Sequence, residues 1–326
     1  MLILNKAEVV RLLPMVECIR VMSEALAQRA GGQAVQPLRT IIRLPDGSGL
    51  MGTMPACVGQ PAALGVKIVS VFPKNAELGR DSHQGAVLLV DSSSGVLQAV
   101  LEAGAVTAIR TAAVSGVATD WLARRDADDL AILGAGVQAE THLDAITRVR
   151  QLRRVRIWNR TPERAARLAR YAMERYSLVA EVCPGAEAAV RGASIICTTT
   201  ASAEPVLMSK WVAPGAHINA VGSSTKNTRE LESALVQRAQ LFVDARESAL
   251  NEAGDILTPM AEGLFTADHI AAELGEVLVG RHPGRQAPDR VTLFKSLGLG
   301  IEDVAAAKFV VAEAERLGVG TRVELL

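Results

Sequence analysis

Lys67 is the residue in this chain most suggestive of chemistry, because it interrupts the apolar run Leu64-Gly-Val-Lys-Ile-Val-Ser-Val71. Burying an ammonium is costly unless an anion accompanies it. A carboxylate ligand would supply that anion, and a lysine so placed can have its pKa lowered enough to donate a proton. The plainer alternative is a strand-edge lysine that snorkels, since alternation puts Lys67 on one face with Gly65 and Val69. Arg110 lies in Val106-Thr-Ala-Ile-Arg-Thr-Ala-Ala-Val-Ser-Gly-Val-Ala118. Its planar fork suits both oxygens of a carboxylate, against a helix-dipole or ion-pair role. Arg39 opens the β-like run Arg39-Thr-Ile-Ile-Arg-Leu44 and reads equally as a third cation or as an exposed strand-edge charge.

A second constellation is Gly134-Ala-Gly-Val-Gln-Ala139, directly after the apolar Asp129-Leu-Ala-Ile-Leu133 and at the start of a helical pattern. Strand, glycine turn and helix in this order form a dinucleotide fingerprint. Gly134 permits the tight turn, Gly136 lets backbone approach a pyrophosphate, and the helix N-terminus offers N–H groups to the anion. Ala139 occupies the third, substitutable position. The next strand ends in Trp158-Asn-Arg-Thr-Pro-Glu-Arg164. No carboxylate stands where NAD sites place one for the ribose 2′-hydroxyl, whereas Arg160, Thr161 and Arg164 suit a 2′-phosphate. NADPH is therefore the expected cofactor, with NADH possible.

The elements that must position these residues follow from periodicity. Lys6 to about Arg29 predicts one helix, with Val9, Val10, Leu13, Val16, Ile19 and Met22 at three- and four-residue steps. Runs at 39–44, 65–71 and 86–90, punctuated by turn residues, predict an antiparallel or mixed sheet. A small-residue helix is expected over about 105–124. Strands at 129–133, 155–158, 194–197, 217–221 and 241–244 then alternate with helices at about 137–149, 162–176 and 229–238, which predicts a parallel sheet covered on both faces. A helix from Gly300 to about Leu317 and a short strand at 321–324 close the pattern. The fold class is thus α/β: a Rossmann-type doubly wound parallel sheet plus a mixed α+β domain.

Composition narrows the function classes. The 326 residues carry 35 Lys plus Arg against 35 Asp plus Glu, so no global field draws the chain to nucleic acid or an anionic membrane. No apolar run has the length of a membrane helix, and the start shows no signal-peptide pattern. Cys18, Cys57, Cys183 and Cys197 are scattered, without zinc or disulfide spacing, and the five histidines show no ligand spacing. No metal is expected, and a cytoplasmic location fits. Asp244, Glu252 and Asp255 read as solvated or capping acids, and Lys295 as either a ligand at a strand end or a solvated turn lysine.

Several segments resemble the ornithine cyclodeaminase/mu-crystallin family: Gln36-Pro-Leu-Arg-Thr40, Ser82-His-Gln-Gly85, Ala108-Ile-Arg-Thr-Ala-Ala-Val-Ser115, Ile132-Leu-Gly-Ala-Gly-Val-Gln138, Val155-Arg-Ile-Trp-Asn-Arg-Thr161, Pro214-Gly-Ala-His-Ile-Asn-Ala-Val-Gly222 and Leu293-Phe-Lys-Ser-Leu-Gly298. The resemblance spans nearly the whole chain and is nearest to the mu-crystallin (ketimine reductase) branch. It implies a homodimer joined through the first domain, a site between that domain and the Rossmann domain, and a small α-imino or α-amino acid substrate. The expected division is 1–112 completed by 303–326 for substrate and dimerisation, and 113–302 for the dinucleotide.

Matched residue by residue, the resemblance puts substrate-carboxylate ligands on Arg39, Lys67 and Arg110, of which Lys67 and Arg110 are the catalytic candidates. Cofactor contacts fall on Ser82, His83, Thr111, Gly134, Ala135, Gly136, Val137, Gln138, Asn159, Arg160, Thr161, Thr198, Thr199, Ser224, Lys295 and Leu297; Arg110 and Arg164 are counted with them. His83, in Asp81-Ser-His-Gln-Gly85, reads as a cofactor contact rather than a general acid.

One departure is informative. Cyclodeaminases carry an Asp and then a Lys four residues on in the loop after the strand matching 217–221. Here Gly222-Ser-Ser-Thr-Lys-Asn-Thr-Arg-Glu230 places Ser224 and Thr228 there. Loss of that carboxylate moves the expectation from deamination to NADPH-dependent reduction of a cyclic ketimine carboxylate, Δ1-pyrroline-2-carboxylate or Δ1-piperideine-2-carboxylate. The alternatives are an amino-acid or N-alkyl-amino-acid dehydrogenase, a cyclodeaminase-like enzyme, and an NADPH-holding binding protein for a thyroid-hormone-like ligand.

Overall fold

The computed structural model describes residues 1–79 and 82–324. The chain divides into two units, Met1–Arg110 with Gly298–Leu326, and Thr111–Leu297. The return to the first unit begins at Gly298, where the sequence suggested 303. Asp81, from the segment quoted around His83, lies outside the described residues.

The first unit opens with β1 (Leu2–Leu4), followed by α1 (Lys6–Leu12) and α2 (Met15–Ala30). Two helices thus stand where one was expected, and Pro14 is the reason. It holds Leu13 out of the helical region, at φ −118° and ψ 71°, and itself serves as the N-cap of α2. Asn5 starts α1 with a reciprocal cap: its side chain accepts the Glu8 N–H, and the Glu8 carboxylate accepts the Asn5 N–H. Strands β2 (Ala34–Val35), β3 (Thr40–Arg43), β4 (Leu50–Val58), β5 (Ala63–Val71), β6 (His83–Val90) and β7 (Leu97–Glu102) then lead into α3 (Ala103–Leu122).

In the second unit the chain runs through β8 (Asp129–Leu133), α4 (Val137–Val149), β9 (Arg154–Trp158), α5 (Pro162–Tyr176), β10 (Val179–Val182), α6 (Ala186–Val190) and β11 (Ile195–Thr198). It continues through β12 (His217–Ala220), α7 (Ser233–Arg238), β13 (Gln240–Val243), α8 (Arg246–Glu252), α9 (Gly254–Ala261), β14 (Ile270–Glu273), α10 (Leu274–Leu278) and β15 (Thr292–Lys295). Helix α11 (Gly300–Leu317) and strand β16 (Thr321–Arg322) rejoin the first unit.

The first sheet runs β16-β1-β7-β6-β5-β4-β2, with β3 also paired to β4. It is mixed: β1 and β7 are parallel, and the other pairs are antiparallel. Strand β5 lies between β4 and β6, so Lys67 sits in the sheet interior rather than at an edge. Helix α11 packs on α2 and across β4, β5 and β6. Its Ala306, Ala307, Val310, Val311 and Ala314 are buried, as are Cys18, Met22, Ala25 and Leu26 of α2 and Val87 and Leu89 of β6. The added Cβ of any larger residue at Gly65 would lie 3.3 Å from Val304 and 2.3 Å from the Leu88 carbonyl. Glycine there lets the first turn of α11 settle over β5, two residues before Lys67.

The second sheet is all parallel in the order β10-β9-β8-β11-β12-β15-β13-β14. The order reverses direction between β8 and β11, the place where such sheets bind ligands beyond the strand ends. Burial shows why these strands read as near-continuous apolar runs. On β8, Leu130 and Ile132 enter one core with Val155, Ile157, Ile195 and Cys197. Ala131 and Leu133 enter the other with Ile196, Ile218, Leu241 and Leu293. Both faces are therefore covered. No helix among the described residues is long and apolar enough to cross a membrane.

Candidate functional site

Within the first unit, Lys67, Arg110 and two acids of α11 form one buried cluster. Lys67 Nζ lies 2.7 Å from Asp303 Oδ2 and donates to Thr107 Oγ1 at 3.5 Å. Arg110 donates through Nε to Asp303 Oδ1 at 2.8 Å and through Nη1 to Glu302 Oε2 at 2.7 Å. Asp303 therefore bridges the two cations, one oxygen to each. Lys67 is 3% exposed and Arg110 4%, while both acids are fully buried. Arg39, half-buried just ahead of β3, donates to the Gly298 carbonyl at 3.1 Å. Gly298 adopts φ +80°, and a Cβ there would lie 2.6 Å from the Arg110 guanidinium. The chain can cross beside Arg110 only as glycine.

The electrostatics follow from this geometry. Burial lowers Lys67 to about 8, opposed by Asp303 and assisted by Arg110. Burial alone would raise Asp303, but the Arg110 and Lys67 charges outweigh it and hold the carboxyl below its ordinary value. The anion that the sequence assigned to a ligand of Lys67 is thus present in the fold itself. Edge snorkelling is corrected: the ammonium is buried and paired.

Ser82 and His83 lie at the start of β6, where Ser82 Oγ and His83 Nδ1 are 3.0 Å apart. Desolvation of the ring and the Lys67 charge lower the His83 imidazole.

In the second unit, Gly134 has φ +114°, and a Cβ there would lie 2.7 Å from both the carbonyl and the hydroxyl of Thr199. Its N–H is fixed to the Trp158 carbonyl at 2.8 Å. Ala135 is buried, whereas Gly136, the N-cap of α4, has no atom within 4 Å of its would-be Cβ. No side chain caps that helix end, and Val137 in its first turn is exposed. Gln138 Oε1 is buried without a hydrogen-bond partner among the described residues. The open, uncapped N-terminus with its free N–H groups fits a dinucleotide pyrophosphate.

At the end of β9, Asn159 donates to the Thr161 carbonyl at 2.9 Å. Thr161 precedes Pro162 at the start of α5, and Arg160, Thr161 and Arg164 are all exposed. Thr111 is buried in α3. Across the switch point, Thr198 ends β11 and Thr199 follows it. Thr199 donates its N–H and hydroxyl to the Leu133 carbonyl at 2.8 and 3.2 Å.

Thr198 donates its hydroxyl to Glu230 at 2.8 Å, and Glu230 also accepts the Thr200 N–H and hydroxyl and the Gly222 N–H, each at 2.7 Å. Burial raises the Glu230 carboxyl, with Lys295 opposing. Lys295 is fully buried, paired to Asp255 at 2.9 Å and donating to the Ser223 carbonyl. A solvated turn lysine is ruled out.

Asp255 also accepts the N–H groups of Glu230 and Leu231, and Asp244 accepts those of Ala245 and Leu297. Both acids are buried rather than solvated, with backbone donors in place of water. Ser224 is exposed, and Thr228 shares hydroxyl contacts of 2.8 Å with Ser223 and Thr225. Sequence reasoning missed Glu230, Glu302 and Asp303. Glu302 and Asp303 read as ordinary first-turn acids of a helix, and only the buried cations opposite reveal them. For Glu230 the signal was an acid closing a Ser/Thr-rich loop after a strand.

Comparison with known proteins agrees over the whole length. The model of the ornithine cyclodeaminase/mu-crystallin family matches residues 1–317. A Δ1-pyrroline-2-carboxylate reductase of Bacillus cereus is 38% identical over 325 residues, covering 99% of this chain and 100% of that protein. The ketimine reductase mu-crystallin of Mus musculus is 43% identical over 279 residues, covering 86% and 85%. The structure of Thermococcus litoralis Δ1-pyrroline-2-carboxylate reductase in complex with NADH and L-proline superposes with a TM-score of 0.97 at 38% identity, covering 99% and 100%. The chain belongs to the ornithine cyclodeaminase/mu-crystallin family.

Proposed function

We propose that this chain reduces small cyclic ketimine carboxylates of the Δ1-pyrroline-2-carboxylate and Δ1-piperideine-2-carboxylate type to cyclic amino acids, using NADPH in preference to NADH. The observation that carries the reading is the cation cluster of the first unit. Asp303 holds Lys67 and Arg110 side by side, Glu302 takes the other side of Arg110, and Arg39 is anchored on the carbonyl of Gly298, the residue beside the Arg110 guanidinium. Cations gathered in this way suit a substrate carboxylate. The reductase activities named for the relatives supply the chemical class.

Bound in the second unit, the reduced nicotinamide supplies a hydride for the imine carbon. Arg110 and Arg39 hold the carboxylate, whose charge they match through N–H donors. Lys67, an acid near pH 8, holds a proton for the imine nitrogen, so that hydride and proton together convert C=N to CH–NH. Positioning accounts for most of the acceleration in such a reaction. The Gly134–Gln138 turn and the start of α4 hold the pyrophosphate.

The NADPH preference rests on Arg160, Thr161 and Arg164 at the end of β9; the Thermococcus litoralis enzyme was solved with NADH. Deamination is disfavoured because the loop 222–229 offers hydroxyls where a water-activating carboxylate is needed, and Glu230 and Asp255 are committed to loop and lysine contacts. A homodimer through the first unit is supported by exposed apolar side chains at one end of its sheet, Val35, Ile41, Ile42, Leu44 and Met51. Light scattering at micromolar concentration would return twice the chain mass; a monomer would remove this part of the proposal.

Lys67→Ala tests the site. Losing a charged hydrogen-bond donor to the substrate should raise its KM about 10- to 100-fold, the equivalent of about 1.5–3 kcal/mol, with the KM for NADPH little changed. Near-wild-type kinetics would take Lys67 out of the site.

A further inference from the structure

We propose that Asp303 is a positioning residue for this reduction: its carboxylate, bridging Lys67 and Arg110, keeps the lysine in its proton-bearing form and aims the arginine. The proposal rests on the reading of Lys67 and Arg110 as substrate partners. Its physical basis lies entirely within the first unit.

Asp303 reaches Lys67 Nζ at 2.7 Å with one oxygen and Arg110 Nε at 2.8 Å with the other. One rigid carboxylate therefore fixes the separation of both cations. Its place is set by the first turn of α11, which Gly65 allows down onto β5, and by Glu302, which takes the other side of Arg110 at 2.7 Å and the Leu299 N–H at 3.1 Å. The groups facing Lys67 are Asp303 from α11, Thr107 and Arg110 from α3, Arg39 ahead of β3, and His83 on β6. Asp303 alone among these carries the charge that favours the ammonium at contact distance. Burial, Arg110 and Arg39 all push Lys67 toward the neutral amine. Without Asp303 the lysine would lose its proton at lower pH and could not deliver one to the imine nitrogen.

The test uses the full-length protein with Asp303→Asn and Asp303→Glu. The alkaline limb of kcat/KM for Δ1-pyrroline-2-carboxylate should move down by about one unit or more in Asp303→Asn, a tenfold change in proton affinity. Asp303→Glu should restore it toward the wild-type position. Titration of the imine itself is common to all three proteins and drops out of the comparison. Glu302→Gln, which touches Arg110 and not Lys67, should raise KM without moving the limb.

A readout free of substrate is the lysine 13Cε titration by NMR. The Lys67 midpoint should fall in Asp303→Asn whether or not the imine is turned over, so failure of the substrate reading and failure of the Asp303 role are told apart. If Asp303→Asn does not fold, the wild-type Asp303 carboxyl carbon should still show a titration step that shares the Lys67 midpoint and vanishes in Lys67→Gln. An unmoved limb and midpoint in a folded Asp303→Asn, or no shared step in the wild type, would overturn the proposal.

Discussion

Replacing Lys67 with methionine should change how stability depends on pH, and the size of the change can be worked out. The ammonium is buried and its pKa is lowered from 10.5 to about 8. Below pH 8 the lysine is protonated in both folded and unfolded chains. Between pH 8 and 10.5 the unfolded chain still holds the proton while the folded chain has released it. The unfolded state then binds more protons, so stability rises with pH across that window. The shift of about 2.5 units, at about 1.4 kcal/mol per unit, gives a rise of about 3 kcal/mol between pH 7 and 10.5. Lys67→Met removes the term, because methionine fills similar volume without a proton to lose.

The assay is urea unfolding of both proteins at half-unit steps, plotting the difference in free energy so that other titrating groups cancel. The wild type should gain about 3 kcal/mol on the variant as the pH is raised. A flat difference would mean that Lys67 titrates alike in both states, and the buried-cation account would be wrong. A fall would mean that Asp303 outweighs burial, placing the folded pKa above 10.5 instead of near 8.

Three further outcomes follow from the second unit. Gly134→Ala must place a Cβ 2.7 Å from Thr199 at φ +114°. It should weaken NADPH binding about tenfold or more and destabilise the protein by about 1–3 kcal/mol, measured by titration calorimetry and denaturation. Lys295→Met strands the Asp255 carboxylate beside Glu230 and should cost about 3–5 kcal/mol. The double variant with Asp255→Asn should be less destabilised than the sum of the single changes, and strict additivity in the cycle would deny the pair. Arg160→Ser with Arg164→Ala should lower kcat/KM for NADPH about 10- to 100-fold while leaving NADH nearly unchanged, since only NADPH carries the phosphate that these cations would meet.

Much of the parallel sheet was legible because its inner strands β8, β11, β12, β13 and β15 are buried on both faces, whereas the exposed edge strand β10 gave no such signal. The 137–149, 162–176 and 300–317 helices stand where periodicity put them. The first helix did not survive as one piece, because the apolar steps run through Pro14 while the backbone cannot. Strand β4 escaped notice: Gly52, Thr53 and Pro55 blur its alternation, and a proline inside a run reads against a strand. At the candidate site the cations stood out and their acids did not. An unpaired-looking Lys67 signals burial from sequence alone, whereas Glu302 and Asp303 resemble any acids opening a helix until the fold brings β5 and α3 opposite them. For Asp244, Asp255 and Lys295 the solvated alternative fell for the same reason, since water and a distant partner satisfy a charge equally well on paper, while the two acids do cap backbone N–H groups.

The most direct measurement is kcat/KM for NADPH oxidation with Δ1-pyrroline-2-carboxylate and Δ1-piperideine-2-carboxylate, set beside pyruvate with ammonia or methylamine and beside ornithine with NAD+. The cyclic imines should exceed every other substrate by about a hundredfold or more, with the matching cyclic amino acid as product. Ammonia release from ornithine at comparable efficiency, or preference for the open-chain keto acid and amine, would contradict it. So would NADPH binding with no turnover of any imine.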